Sequence, residues 1–340
     1  MTLRFEYRPY RAVFRQPVIT AHGAWREREG VLVRLSDESG LGGLGEIAPL
    51  PGWGSETLDD ALCFCAAMPS TIDATHIRSI PTHLPACTFA LESAWDAARQ
   101  PAAPSPVREL SVAALLPAGP GAVEAAAAAR QSGYTTMKWK VGVGAPDAEI
   151  ALLPRVLSEL PHGGRLRVDA NCAWDLPTAR RWLRACEGCP VEFVEQPFPV
   201  GHEQPIFELA SEYSTRLALD ESVARTDDLR RWLDFGWPGI YVIKPSLAGS
   251  PRRLLQLLES YEAEAVFSGA FETAVGSRAA LLVAARAEHS GRAVGFGTIG
   301  CFADERLNLP DTAPTIPTKW LARHAPAEPW EAFSHEPRAA

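Results

Sequence analysis

Three acidic residues follow short apolar runs at regular places in the chain. Asp169, Glu195 and Asp220 each come directly after a run with the composition of a buried strand. Carboxylate oxygens are hard ligands, and three of them around one point suit Mg²⁺, whereas a zinc site needs nitrogen or sulfur. A single acid at a strand end more often caps the next helix, but three in successive units predict a metal site.

Two lysines stand two residues apart in the segment Thr136-Met-Lys138-Trp-Lys140. In a strand such residues share one face and lie about 6 to 7 Å apart, so both ammonium groups can point to one side while Met137 and Trp139 pack on the other. Positive charges nearby lower the pKa of a lysine, which makes its amine a usable base near neutral pH. A Lys-x-Lys pair by itself is more often a solvated surface feature.

A third lysine, Lys244, ends the apolar run Ile240-Tyr-Val-Ile243. A lysine in such surroundings is costly unless anions pair with it. If Lys244 shares a site with the three carboxylates, amines face each other across one metal ion. That arrangement suits removal of the proton α to a carboxylate, because a metal stabilises the enediolate that forms.

Eight strand-like runs separated by amphipathic helices occupy the chain from residue 106 to residue 308. The runs cover 111–116, 135–141, 166–169, 191–195, 217–220, 240–244, 265–268 and 293–296, and the helical patterns include 122–131, 177–186, 226–234 and 251–262. The charged residues that end five of the runs, from Lys140 to Lys244, are separated by 29, 26, 25 and 24 residues. A parallel barrel collects the carboxyl ends of its strands on one face, so we expect these side chains to converge, with Lys244 four strands from Lys140.

The segments before and after the barrel have different sequence patterns. Residues 1–105 show a strand-like run at 31–35, a glycine-rich turn at 40–45 and helical patterns at 58–67 and 89–99, which indicate an α+β unit. Prolines at 101, 104 and 106 mark a connection to the barrel. Residues 309–340 are rich in proline and are predicted to pack back on the first unit.

Three further motifs have ordinary interpretations. Gly40-Leu-Gly-Gly-Leu-Gly45 fits G-x-G-x-x-G, but the prolines that follow block the helix that a dinucleotide site needs, so a hairpin turn is favoured. Seven cysteines, with one C-x-x-C at Cys186 and Cys189, indicate reduced thiols, since nothing completes a zinc site. A substrate contact by His22 is the minority interpretation of a loop histidine.

Composition limits the class of protein. The 340 residues carry a formal net charge of −8, which argues against a nucleic-acid binder. No apolar run is long enough to span a membrane, and charges and proline interrupt the first ten residues, so neither a membrane protein nor a secretory signal is expected. We predict a cytoplasmic enzyme or binding protein that acts alone or as a homo-oligomer.

Motifs along nearly the whole chain resemble the enolase superfamily, in its muconate-lactonising-enzyme-like branch. They are the two loop segments 20–30 and 45–52, the helix segment 89–97, and the barrel segments 167–174, 267–276 and 295–298. The resemblance implies a (β/α)7β modified TIM barrel with an α+β N-terminal capping domain. It also implies a cofactor, Mg²⁺ with Mn²⁺ as a substitute, and a small carboxylate substrate. The implied reaction is a syn-dehydration of a succinyl-bearing hydroxycyclohexadiene carboxylate in menaquinone biosynthesis.

The resemblance assigns roles to individual residues. Lys140 is the base that takes the α-proton and then protonates the leaving hydroxyl, Lys138 lowers its pKa and holds the carboxylate, and Lys244 stabilises the enediolate from the opposite face. Asp169, Glu195 and Asp220 are the metal ligands. Arg167, Ser268 and Gly269 are candidates for the succinyl arm, and Asn171 and Gln196 for support of the ligands. For Arg167 an ion pair inside the barrel is equally expected, for Ser268 and Gly269 a plain turn, and for Asn171 and Gln196 bonds to local backbone.

Other activities use the same lysines and metal. N-acylamino-acid racemisation is the main alternative, because an opposed lysine pair is what two-sided proton transfer requires; a cycloisomerase is another. A dipeptide epimerase is disfavoured, because segment 295–298 lacks the acids that bind an α-ammonium group. A non-catalytic ligand-binding barrel is less expected still, since no lysine or metal ligand is missing.

Overall fold

The computed structural model describes residues 1–20, 23–99, 109–287, 291–310, 314–323 and 327–333. The chain begins with a four-stranded antiparallel sheet in the order β3-β2-β1-β4, covered on one face by helices. Its strands are β1 (Thr2–Thr20), β2 (Gly23–Ser36), β3 (Gly42–Ile47) and β4 (Thr71–Asp73), and its helices are α1 (Leu58–Ala67), α2 (Ala74–Arg78) and α3 (Pro85–Arg99). Alternate residues of β1, among them Leu3 and Phe5, are buried under these helices, as the pleat of a half-buried strand requires.

The glycine-rich segment forms a hairpin, as predicted, and no dinucleotide fold. The turn covers 37–41, and β3 then pairs antiparallel with β2 from Gly42 onward. The glycines within β3 allow close packing: a Cβ at Gly43 would lie 2.0 Å from the carbonyl oxygen of Ala94, and one at Gly45 would lie 2.1 Å from that of Ala90. Helix α3 therefore rests directly on the backbone of β3.

A parallel barrel follows, with seven strands in the order β12-β11-β10-β9-β8-β7-β6. The strands are β5 (Glu109–Ser111), which lies outside that sheet, β6 (Ala114–Leu116), β7 (Thr136–Lys140), β8 (Arg165–Asp169), β9 (Val191–Glu195), β10 (Leu217–Leu219), β11 (Ile240–Ile243) and β12 (Ala265–Phe267). The helices are α4 (Gly121–Gln131), α5 (Pro146–Ser158), α6 (Leu176–Cys186), α7 (Glu203–Glu212), α8 (Thr226–Asp234), α9 (Pro245–Ala248), α10 (Pro251–Ser260) and α11 (Ala274–Ala287).

The eighth barrel position is shorter than the predicted strand at 293–296. Val294 bridges Val112 and Gly295 bridges Ser268, both in parallel, so the barrel closes through two isolated bridges. Inside the barrel, a buried apolar cluster fills the space below the mouth (Phe193, Ala218, Ile240, Val242 and Val266). Outward-facing strand residues pack on the helices, for example Trp139 against Trp182 of α6. This is the (β/α)7β architecture.

The chain after the barrel contacts both parts of the molecule. β13 (Thr315–Pro317) pairs with β5, and α12 (Thr318–Arg323) lies against α11. In α13 (Glu328–Ala332), Trp330 packs under the guanidinium of Arg8 of the capping sheet, 4.0 Å from the ring centroid. The boundary at 105/106 and the proline cluster beside it lie outside the described residues, so the division into 1–105, 106–308 and 309–340 stays a prediction. None of the described helices has the length and hydropathy to cross a membrane.

A buried carboxylate of the capping sheet joins it to the barrel. Glu46 of β3 is fully buried and accepts hydrogen bonds from the Tyr10 hydroxyl at 2.6 Å, from the Thr273 amide at 2.9 Å and from the Gly276 amide at 2.8 Å. The two amides belong to the start of α11, where unpaired N–H groups and the helix dipole favour a negative charge. Glu46 thus caps a barrel helix from the other unit.

We expect Glu46→Ala to lower the free energy of unfolding by about 3 kcal/mol, because several hydrogen bonds to one buried charge are lost together. Urea unfolding followed by circular dichroism measures this. Glu29→Ala is the matched control, since Glu29 is exposed and its carboxylate pairs with Arg11 at the surface. Equal losses in the two variants would contradict the role of Glu46.

Candidate active site

Strand register brings the predicted residues to one end of the barrel. Lys140 of β7 pairs with Asp169 of β8, and Asp169 pairs with Glu195 of β9, so the last residues of three neighbouring strands stand side by side. Asp220 directly follows β10, and Lys244 directly follows β11. Because parallel strands run in one direction, these side chains meet at the mouth of the barrel. The predicted convergence is therefore present.

Lys138 lies between two of the carboxylates. Its Nζ is 2.8 Å from Asp169 Oδ2 and 2.7 Å from Glu195 Oε1. Burial opposes the positive charge of Lys138, but the charges of Asp169, Glu195 and Asp220 outweigh it, so its pKa is raised. Conversely, burial and the charge of Asp169 raise the pKa of Glu195, and Lys138 offsets them only in part. The three acids thus form one tightly interacting group of buried negative charges.

Lys244 contacts the third carboxylate from the far side of the barrel. Its Nζ forms an ion pair with Asp220 Oδ1, and the side chain is only 11% exposed. Strand β11 lies four positions from β7 in the sheet, so Lys244 and the Lys138–Lys140 pair stand on opposite sides of the mouth. Lys140, on the inner face of β7, is half-buried. Amines therefore flank the acidic group from two sides, as the sequence predicts.

A fourth carboxylate, Glu221, belongs to this group and was not predicted. Its Oε1 is 3.4 Å from the Asn171 side-chain amide, whereas its Oε2 is buried without a hydrogen-bond partner. Burial and the charge of Asp169 raise its pKa. An unpaired carboxylate oxygen beside Asp220 indicates a place for a cation or a metal-bound water.

Gln196 and Asn171 bond to local backbone and loop groups around the carboxylates, and their support of the metal ligands stays a prediction. The side-chain oxygen Oε1 of Gln196 accepts from the backbone amides of Asp220 at 2.9 Å and Ser222 at 3.3 Å, and its Nε2 donates to the Phe198 carbonyl. The Asn171 backbone amide donates to Asp169 Oδ1 at 3.0 Å. Both residues have positive φ angles, 35° and 42°, where the chain turns sharply away from the strand ends. Gln196 thereby ties the loop that carries Asp220 to the end of β9.

We expect Gln196→Ala to weaken Mg²⁺ binding by about 10- to 100-fold, because residues that orient ligands have effects of that size. Isothermal titration calorimetry with Mg²⁺ measures it. Gln204→Ala removes the same side chain from an exposed position on α7 and serves as the control. An unchanged affinity in Gln196→Ala would show that the loop holds Asp220 without this side chain.

The loop after β7 is braced by Glu149, another residue that the sequence did not reveal. Its buried carboxylate accepts from the amides of Gly142, Val143 and Gly144 at 2.9 to 3.1 Å. Gly142 has φ +77°, and a Cβ there would lie 2.7 Å from the Cβ of Ala173 in the next loop. The loop that follows Lys140 is therefore fixed by backbone bonds to one side chain and by close contact with its neighbour.

The candidates for the succinyl arm need correction. Arg167 is paired with Glu192 at 2.6 Å, below the mouth, so the ion pair inside the barrel is the favoured alternative. The Ser268 amide donates to the Ile243 carbonyl, and the Gly269 amide donates to the Gly295 carbonyl. These amides are used to close the barrel, which supports a strand-to-helix turn and leaves neither N–H group available for a substrate carboxylate.

Two other predictions concern thiols and a histidine. All seven cysteines are free thiols, and Cys172 lies beside Glu221 in the loop after β8. Burial and the nearby carboxylates raise the pKa of Cys172, which disfavours its thiolate form. His22 lies outside the described residues.

The choice between lysine and arginine along the chain carries a further signal. The full sequence has only four lysines, Lys138, Lys140, Lys244 and Lys319, and its other basic side chains are arginines. Three of the four are at the barrel mouth. Arginine serves surface charge equally well but does not lose its proton in proteins, so a lysine retained at the mouth indicates a need for an amine.

The chemistry of the donor set fits Mg²⁺. Three buried carboxylates and the unpaired oxygen of Glu221 are all hard oxygen donors, and neither nitrogen nor sulfur is needed. Within the described residues, no three His, Cys, Asp or Glu side chains are close enough together to hold a metal ion as they stand. The ammonium groups of Lys138 and Lys244 contact the acids in this structure.

Comparisons with known proteins identify the family. A model of enolase C-terminal domain-like proteins matches residues 121–309, and a model of the MenC N-terminal domain matches residues 4–97. An o-succinylbenzoate synthase from Thermosynechococcus vestitus is 41% identical over 300 residues, covering 87% of this chain and 92% of that protein. The chain belongs to the o-succinylbenzoate synthase family of the enolase superfamily.

Solved structures agree with this family. The o-succinylbenzoate synthase of Thermosynechococcus elongatus BP-1, complexed with Mg in the active site, has a TM-score of 0.81 at 40% identity and covers 89% of this chain and 95% of its own. An N-succinyl Arg/Lys racemase from Bacillus cereus ATCC 14579 also has a TM-score of 0.81, at 19% identity, with 93% of each chain covered. The racemase shows the shared fold alone. The predicted barrel with a capping domain is thereby confirmed.

Proposed function

We propose that this chain catalyses the Mg²⁺-dependent syn-dehydration of 2-succinyl-6-hydroxy-2,4-cyclohexadiene-1-carboxylate to o-succinylbenzoate, a step of menaquinone biosynthesis. One observation carries the proposal: amines flank a group of three buried carboxylates from two sides of one barrel mouth. Relatives of the same family that bear this activity in their names support it.

The carboxylates of Asp169, Glu195 and Asp220 would hold Mg²⁺, and Mn²⁺ is expected to substitute. When bound, the ion supplies positive charge that stabilises the substrate carboxylate as its α-proton leaves. Gln196 accepts from the backbone amide of Asp220 and so helps to keep that ligand in place. The buried environment strengthens each of these electrostatic interactions, because water does not screen them.

Proton transfer is assigned to Lys140. It stands at the end of β7 on the face that carries Lys138, in register with Asp169, so its amine reaches a carboxylate substrate above the metal ligands. As a base it removes the α-proton, and as the resulting ammonium it protonates the hydroxyl that leaves from the same face, which gives a syn elimination. Lys138 holds the substrate carboxylate. Lys244 faces the opposite side of the flat ring, where a cation is favourable.

N-acylamino-acid racemisation is the second candidate, and the opposed amines favour it. Racemisation needs a base on each side of the α-carbon, and Lys140 and Lys244 stand on opposite sides of the mouth. The non-catalytic barrel differs from both candidates, because it predicts no turnover.

The direct test follows the rise in ultraviolet absorbance as the ring becomes aromatic, with purified protein and Mg²⁺. We expect turnover that disappears on addition of a chelator and returns with Mg²⁺ or Mn²⁺. A parallel assay follows the optical rotation of N-succinyl amino acids. Racemisation without aromatisation would replace the first candidate by the second, and no turnover with either substrate would favour the binding barrel. A cytoplasmic location and homo-oligomerisation stay predictions.

A further inference from the structure

The capping unit places one aromatic ring on a lysine of the barrel mouth. Trp53, in the short helical turn Pro51–Trp53 after β3, has its ring centroid 3.8 Å from the Nζ of Lys244. This is the distance of a cation over the face of an aromatic ring. The contact joins two parts of the chain that are 191 residues apart in sequence.

The turn that carries Trp53 is held firmly. The guanidinium of Arg28, a buried residue of β2, donates to the carbonyl oxygens of Ala48 and Pro49, just before the turn. Inside the turn, the Trp53 amide donates to the Leu50 carbonyl, and the Leu50 amide donates to the Ser55 hydroxyl. The ring is therefore presented to the barrel by a pre-formed loop.

An apolar contact seats this loop on the barrel. Leu50 packs with Leu247 and Ala270, which follow β11 and β12, and Trp25 and Trp53 pack around these three residues. The loop thus has an anchor that does not depend on Lys244. Substitution of Trp53 therefore removes the ring face next to Lys244 and leaves the packing of Leu50 on the barrel in place.

The ammonium of Lys244 contacts groups of two different kinds. One is the Asp220 carboxylate, and the other is the face of the Trp53 ring. A lysine side chain has four rotatable bonds and holds one position only if its surroundings restrict it. The carboxylate attracts the ammonium towards the metal ligands, and the ring face, with its centroid 3.8 Å from Nζ, gives it a second favourable contact. Together they keep the charge at the mouth.

We propose that Trp53 is a positioning residue for Lys244, which it holds through the face of its ring, so that the capping unit takes part in catalysis on the barrel. The inference rests on the proposed function for its kinetic consequence. The contact itself does not depend on which substrate is turned over.

The kinetic test compares Trp53→Phe with Trp53→Leu. Phenylalanine keeps an aromatic face, whereas leucine keeps only apolar volume. We expect kcat for aromatisation to fall about ten-fold in Trp53→Leu and less than about three-fold in Trp53→Phe, with KM changed little in either. The reason is that a displaced Lys244 ammonium stabilises the transition state less well, whereas it contributes little to substrate binding. Equal losses in the two variants, or wild-type kcat in Trp53→Leu, would overturn the proposal.

A second measurement is independent of turnover. An acylating reagent modifies accessible neutral amines, and the chain has only four lysines, so peptide mass spectrometry resolves each of them. Exposed Lys319 serves as the internal reference. We expect the rate at Lys244 relative to Lys319 to rise about ten-fold in Trp53→Leu and to stay within about two-fold in Trp53→Phe.

Trp25→Leu is the matched control for the packing of the loop. Trp25 belongs to the same apolar contact, and its ring packs edge-on against Phe271, with 6.1 Å between the ring centroids. If Trp25→Leu exposed Lys244 as much as Trp53→Leu does, general loosening of the loop would explain the result and the proposal would fail. If the wild type did not aromatise the substrate, the proposed function would fail, and the acylation experiment would still decide the contact.

Discussion

Lys140→Ala is expected to lower kcat for aromatisation by about 1,000-fold or more, because it removes the base and its conjugate acid together. The side chain is half-buried at the mouth and is not part of the apolar cluster that fills the barrel, so the fold should survive. The absorbance assay measures the loss, and circular dichroism together with Mg²⁺ titration verifies that the site is otherwise intact.

Two further variants make the result specific. Lys140→Arg keeps a positive charge but cannot supply a neutral amine, so it should be impaired nearly as much as Lys140→Ala. Lys319→Ala removes the one lysine outside the mouth, on the exposed side of α12, and should turn over normally. Substantial activity in Lys140→Arg would mean that the residue acts through its charge alone, and the base would have to be sought elsewhere.

Asp220→Asn is expected to weaken Mg²⁺ binding by about 100-fold, because an amide replaces a charged ligand in a buried group of donors. The same change removes the carboxylate that pairs with Lys244, so kcat at saturating Mg²⁺ should also fall. Calorimetry gives the affinity, and the dependence of activity on Mg²⁺ concentration separates it from the effect on kcat.

Asp59→Asn is the control for this substitution. Asp59 is exposed in the first turn of α1, in the capping unit, so its change should alter neither Mg²⁺ affinity nor kcat. Normal Mg²⁺ affinity in Asp220→Asn would exclude that residue as a ligand. The metal ligands would then have to be reassigned to Asp169, Glu195 and Glu221.

Several parts of the barrel were predictable because they depend on local spacing. One strand and one helix occupy about the same number of residues in each unit, so the regular intervals between Lys140, Asp169, Glu195, Asp220 and Lys244 already imply one common face. The Lys138–Lys140 pair on one side of β7 follows from the two-residue period of a strand. Motifs over most of the chain then implied the family, which the comparisons confirmed.

Other features depend on which surfaces meet. The side chain of Arg167 lies on the same face of β8 as that of Asp169, yet it pairs with Glu192 below the mouth. The amides of Ser268 and Gly269 look available in the sequence, but the short eighth position of the barrel uses one of them and β11 the other. A hydrogen-bond partner is a property of neighbouring strands, so residue type and spacing did not reveal it.

By itself, the sequence determined the barrel, the acids and lysines that converge on its mouth, and the family to which the chain belongs. Repeating units and strand periods are local, and they appear in the order of residues. The tertiary structure alone decided that Lys138 lies between two carboxylates, that Glu46 caps a barrel helix and that Trp53 covers Lys244. Each of these contacts joins segments far apart in the chain, and their pairing is set by how the two units pack.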